Sequence, residues 1–129
     1  MLMLRLLIVG AGGFIGSVLR YLLSGASQSL FATARFPIGT MAVNLSGCFV
    51  IGLVSYLAEA RYALDGLTRL FLVVGVLGGY TTFSTLSNES LALLRGGDFA
   101  LGALNVVTQV VGGLGLAWLG RTAGQLLWR

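Results

Sequence analysis

Residues 78–90 read GGYTTFSTLSNES. An apolar run, Leu70 to Leu77, leads into this stretch, and another, Leu91 to Leu94, follows it. Between them stand two adjacent glycines, then Thr81, Thr82, Ser84, Thr85, Ser87, Asn88 and Ser90, with a single carboxylate at Glu89. The reading of this column of hydroxyls depends on whether the flanking apolar runs lie in a soluble core or in a bilayer.

The composition decides for the bilayer. Of the 129 residues, 57% are hydrophobic and only 9% are charged, with a mean hydropathy of +0.94. A soluble domain carries roughly a quarter of its residues charged. Stretches close to the roughly 20 apolar residues needed to cross hydrocarbon occur at Leu4–Leu23, Ile38–Ala58, Leu70–Leu94 and Phe99–Leu119. The expected fold is an all-α membrane protein with four transmembrane helices, residues 1–129 forming a single four-helix transmembrane domain. Pro37, the only proline, marks the start of the second helix.

The N-terminal MLMLRLLIVGAGGFIG has an early arginine and an apolar stretch, but no small-x-small cleavage signal before Arg20 and Tyr21, so it reads as the first span. The lone Cys48 reads as a small apolar residue at a helix contact. The chain contains no histidine, which excludes the common histidine metal clusters and imidazole acid–base chemistry.

The net charge of +4 comes from eight arginines, no lysine and four acids. The arginines sit near the ends of the spans, where they reach headgroups; nucleic acid is not the expected partner. With four spans, Arg5, Arg61, Arg69, Arg121 and Arg129 share one side of the membrane, and Arg20, Arg35 and Arg95 the other. Five against three is a weak bias under the positive-inside rule, so the chain is expected to insert both ways up.

Glycines seed every span: Gly12 and Gly16, Gly47 and Gly52, Gly75, Gly78 and Gly79, and Gly112, Gly113 and Gly115. Small residues let membrane helices approach closely. The Gly78–Gly79 pair predicts more than packing, because each glycine weakens a helix by about 1 kcal/mol relative to alanine. A break of the third helix mid-membrane at this pair leaves carbonyls free to bind a cation. Such irregular backbone survives at depth only when buried in protein or lining a cavity.

The polar residues inside the spans are few. Asn44 lies in GTMAVNLSGCF, residues 39–49. Thr81, Thr85 and Asn88 are spaced to share one helix face, with Ser84 and Ser87 beside them and Phe83 and Leu86 one turn apart. Asn105, Thr108 and Gln109 form a polar strip on the fourth span. A lone hydroxyl satisfies itself on its own helix; several on neighbouring spans point to the bundle interior or a wet path. No carboxylate lies mid-span, as a proton-coupled carrier would require. Hydroxyl and amide donors, arginines near the mouths and electropositive ring edges suit an anion.

These pieces resemble the Fluc (CrcB) family of fluoride channels. The resemblance rests on GGFIGSVLRY (12–21), GTMAVNLSGCFVIG (39–52), GVLGGYTTFSTLSNE (75–89) and GLAWLG (115–120), which follow the family's order and spacing. It implies an antiparallel, dual-topology homodimer in a bacterial inner membrane. Two fluoride pores at its interface would export cytoplasmic fluoride passively, without enzyme activity. It also implies a structural sodium ion at the dimer centre, held by the main-chain carbonyls of Gly78 and Thr81. By the same resemblance Asn44, Phe83, Ser84, Thr85 and Leu86 line the fluoride pore, Arg20 stands in the vestibule, and Asn105, Thr108 and Gln109 are secondary pore candidates. Leu86 departs from the pattern: the family has a second phenylalanine there, and leucine offers no polarised ring edge. Asn105 stands where many members carry an aromatic residue.

Two other readings compete. A small dual-topology drug–proton antiporter also has four spans, but the first span here has no carboxylate to exchange protons. A non-conducting partner subunit of a heteromeric channel is the other, kept open by Leu86.

Overall fold

Helices form where the apolar runs lie, and they extend past them. In the computed structural model, which describes residues 1–60 and 64–128, α1 spans Leu2–Ser29 and α2 spans Ile38–Ala60. The third span runs from Gly66 to Arg95 in several pieces. They are the short α3 (Gly66–Arg69), a π-helical stretch (Leu70–Leu77), α4 (Gly78–Tyr80) and α5 (Phe83–Arg95). The fourth span is α6, Phe99–Leu127. Four helices are thus long and apolar enough to cross a membrane, as the sequence predicts, and no strand occurs among the described residues. The first and fourth helices outrun their apolar stretches, since backbone hydrogen bonding continues where hydropathy falls off at the first polar residues. Arg61 and Arg129, two of the arginines in the sidedness count, lie outside the described residues.

Local chemistry sets the ends. The Pro37 carbonyl accepts from Met41 N–H at 3.1 Å as α2 begins. Asp65 caps α3, its carboxylate accepting from Thr68 N–H; that bond holds its pKa below the ordinary carboxylate value. The turn between α5 and α6 needs a glycine: Gly97 has φ +87°, while Asp98 N–H reaches back to the Leu93 carbonyl at 3.0 Å, a Schellman closure.

Glycine lets the backbones meet. A Cβ on Gly12 would stand 2.8 Å from Gly75 Cα and 2.8 Å from the Phe71 carbonyl oxygen, so α1 lies directly on the π-helical stretch. Gly52 and Gly120 do the same between α2 and α6, each abutting the other helix's backbone. With lipid outside, such close van der Waals contact is what holds the helices together.

The interior is the reverse of a soluble core. Among the described residues, Val43, Leu77 and Leu86 are its buried large apolar ones, against buried Thr40, Asn44, Ser90, Asn105 and Gln109. Large apolar side chains such as Phe14, Leu22, Leu114 and Trp118 point outward. Ion pairs lie toward the helix ends: Arg121 to Glu59 at 2.9 Å and Arg35 to Asp98 at 3.8 Å. With four spans, the end of α2 and the last turns of α6 share one side and the connections that follow α1 and α5 the other, so each pair joins residues of one side. With four apolar spans and a polar interior, the chain is a multi-pass membrane protein.

Candidate functional site

The backbone of the third span leaves the helical conformation at Thr81 (φ −86°, ψ 158°) and Thr82 (φ −152°, ψ 115°). The sequence places the break at Gly78–Gly79, but Gly78 is helical (φ −64°, ψ −35°). Gly79 serves packing instead: a Cβ there would lie 2.6 Å from the Gly13 carbonyl oxygen, whereas one on Gly78 would meet only the Val73 carbonyl at 3.8 Å. Threonine supplies what glycine does not. Its branched Cβ tolerates extended backbone, and Thr82 Oγ1 caps α5 by accepting from Thr85 N–H at 3.2 Å. The interruption also ends the shared face expected for Thr81, Thr85 and Asn88, since Thr81 precedes α5 and takes no part in its register.

Asn44 of α2 holds the interruption. Its Oδ1 accepts from Thr82 N–H at 2.8 Å and its Nδ2 donates to the Thr82 carbonyl at 3.1 Å. The second Nδ2 hydrogen goes to Gln109 Oε1 at 2.7 Å. Both donors of the amide are thus engaged within the chain. Two of the helical bonds lost at the interruption are replaced by side-chain partners. Thr82 N–H, which would bond the Gly78 carbonyl in an unbroken helix, is taken by Asn44; Thr85 N–H, which would bond the Thr81 carbonyl, is taken by Thr82 Oγ1.

The network continues into α6 and back to α5. Gln109 Nε2 donates to Asn105 Oδ1 at 2.8 Å, Asn105 Nδ2 donates to Ser90 Oγ at 3.0 Å, and Ser90 Oγ donates to the Leu86 carbonyl at 2.8 Å. Thr108 stands beside this chain of bonds, half-buried.

Two hollows flank the interruption. One, of about 270 Å³, is lined by Asn44, Thr81, Phe83, Leu86 and Gln109 among others. Phe83 is 76% exposed at its edge, whereas Leu86 is 5% exposed. The other hollow, of about 430 Å³, is more polar in its lining and is formed by Ser17, Arg20, Tyr21, Thr40, Thr82 and Thr85. The expected residues therefore divide: Asn44, Thr81, Phe83, Leu86 and Gln109 border the first hollow and Arg20 and Thr85 the second, while Thr82, not among them, borders both. Ser84 is exposed and bonds Thr82 Oγ1 at 3.1 Å.

Thr82, Ser90, Thr40 and Glu89 were not singled out by the sequence reading. Thr40 Oγ1 donates to Glu89 Oε1 at 2.7 Å, while Glu89 Oε2 is buried without a partner among the described residues. Thr82 and Ser90 lie in the hydroxyl column, but nothing in their spacing distinguishes the two that bond other spans.

A family model described as CrcB-like protein, Camphor Resistance (CrcB), matches residues 7–121. The fluoride-specific ion channel FluC of Solibacter usitatus is 48% identical over 117 residues, which cover 91% of this chain and 95% of that protein. The fluoride-specific ion channel FluC of Maridesulfovibrio salexigens is 45% identical over 122 residues, covering 89% and 96%. The fluoride-specific ion channel FluC 3 of Methanosarcina barkeri is 41% identical over 120 residues, covering 93% and 89%.

Proposed function

This chain belongs to the CrcB family, and from that membership we propose that it is a passive fluoride channel, not an enzyme, which lets cytoplasmic fluoride leave a bacterial cell across its inner membrane. Two copies in opposite orientations form the working unit, with a fluoride path along each side of their interface. The observation that carries the reading is the interruption at Thr81–Thr82, clasped by Asn44 in a chain 48% identical to a fluoride-specific channel.

Fluoride holds its water tightly, so a path for it needs donors to replace that water and no fixed negative charge on the route. Ser84 and Thr85 supply hydroxyls on the first turn of α5. The exposed ring of Phe83 supplies an electropositive edge at the mouth of the first hollow. Arg20, lining the second hollow, draws anions toward Thr82 and Thr85. The third span thus breaks mid-membrane, and its hydroxyls serve the ion.

The carbonyls of Gly78 and Thr81, relieved of Thr82 N–H and Thr85 N–H as helical partners, fit a sodium ion shared between the two subunits. Bound there, the ion would supply a fixed positive charge and satisfy those carbonyls. The large apolar surface left by one chain, Phe83 included, suits lipid and a second subunit. Reconstitution of the purified protein in liposomes tests the reading. Fluoride efflux well above that of empty liposomes is expected; efflux equal to theirs rejects it.

A further inference from the structure

The buried amides form a circuit with a direction. It starts on α5 and ends at the residue that caps it, passing through α6 and α2. The Ser90 hydroxyl has one hydrogen and gives it to the Leu86 carbonyl, so its oxygen can only accept from Asn105 Nδ2. Asn105, fully buried, must then turn Oδ1 toward Gln109, which donates through Nε2. That leaves Gln109 Oε1 facing Asn44, which answers with Nδ2. Asn44 is left with Oδ1 to receive Thr82 N–H. Turning the Asn44 amide over would set Nδ2 against Thr82 N–H and Oδ1 against Gln109 Oε1, a donor facing a donor and an acceptor facing an acceptor.

We propose that Gln109 is a positioning residue: with Asn105 and Ser90 it fixes which way the Asn44 carboxamide faces, and through Asn44 it holds Thr82 extended at the interruption of the third span. The effect on fluoride flux rests on the channel reading above; the effect on the backbone does not. Gln109 is 5% exposed, with its oxygen and an Nε2 hydrogen both engaged inside the chain, so it acts on the path through Asn44.

The test uses the full-length protein and reads amide hydrogen exchange across residues 78–90 beside fluoride efflux. Gln109→Leu keeps the bulk and removes both polar ends. Exchange in that segment is expected to quicken roughly tenfold, the equivalent of one buried bond of this kind, while the apolar parts of α1 and α6 keep their protection and efflux falls. Gln109→Glu adds a readout that packing alone would not move. Ionised, the introduced carboxyl accepts from Asn44 but cannot donate to Asn105; protonated, it regains a donor. Its exchange and efflux, each compared with wild type at the same pH, should approach wild type as pH is lowered. If Gln109→Leu does not fold, Ser90→Ala, which removes the anchor of the circuit with little change in volume, is expected to quicken exchange over the same segment. Wild-type protection at 78–90 in a folded Gln109→Leu or Ser90→Ala protein overturns the proposal, as does a uniform rise in exchange over all four spans. Local loss of protection with unchanged efflux overturns its link to conduction. Absence of efflux from the wild type rejects the channel reading, while the exchange data still decide the role of Gln109.

Discussion

Asn44 and Thr82 pair as two strands would: Thr82 N–H donates to Asn44 Oδ1 at 2.8 Å, and Asn44 Nδ2 donates to the Thr82 carbonyl at 3.1 Å. A side chain from α2 thereby takes over the bond that Thr82 N–H would have made to the Gly78 carbonyl in a continuous third helix.

Replacing that amide by a carboxylate is expected to be severe. Asn44→Asp, when ionised, keeps an acceptor for Thr82 N–H but sets oxygens against the Thr82 carbonyl and Gln109 Oε1. Each unsatisfied buried group costs about 1–3 kcal/mol, and the new negative charge repels an anion. Fluoride efflux from reconstituted Asn44→Asp should fall by roughly tenfold or more.

Phe83→Ile separates pore from packing. The ring is 76% exposed on a single chain, so the fold of that chain should survive the change, with melting within about 0.5 kcal/mol of wild type. Efflux should drop strongly with dimer content unchanged. Normal efflux through a well-assembled Phe83→Ile dimer would remove Phe83 from the path.

Leu86→Phe asks whether a second ring can be accommodated. Leu86 is buried, which argues for overpacking at about 1–3 kcal/mol, yet it borders the hollow of about 270 Å³. The hollow can take the added atoms, so the expected result is near-wild-type thermal stability with efflux unchanged or raised.

Gly12→Ala and Gly10→Ala form a matched pair. An added Cβ at Gly12 meets the backbone of Gly75, Phe71 and Val76 within about 3 Å, whereas one at Gly10 meets nothing within 4 Å. Backbone cannot rotate away, so Gly12→Ala should destabilise the bundle by about 1–3 kcal/mol. Gly10→Ala should be neutral or slightly stabilising. Thermal melting in detergent distinguishes them.

Topology gives a further expectation. With five arginines against three, a C-terminal reporter should give signal on both sides of the membrane. Signal from one side alone argues against the antiparallel dimer.

The sequence by itself determined that four apolar spans cross a membrane, that hydroxyls and amides gather inside them, and that the chain is of the CrcB type. These follow from quantities that add along the chain: hydropathy over a window, and motifs read in order. Where the third span breaks was not additive. Gly78–Gly79 has the weaker helix propensity, but Gly79 is used for contact with Gly13, and the helix yields at Thr81–Thr82 instead. Tertiary structure decided this, because the competing hydrogen-bond partner for Thr82 is Asn44, brought alongside only when α2 packs. The same holds for the circuit from Ser90 to Thr82: a 3.6-residue period places Asn105 and Gln109 on one face of α6 within bonding reach, but their other partners, Ser90 and Asn44, belong to other helices, and distance along the chain carries no trace of them.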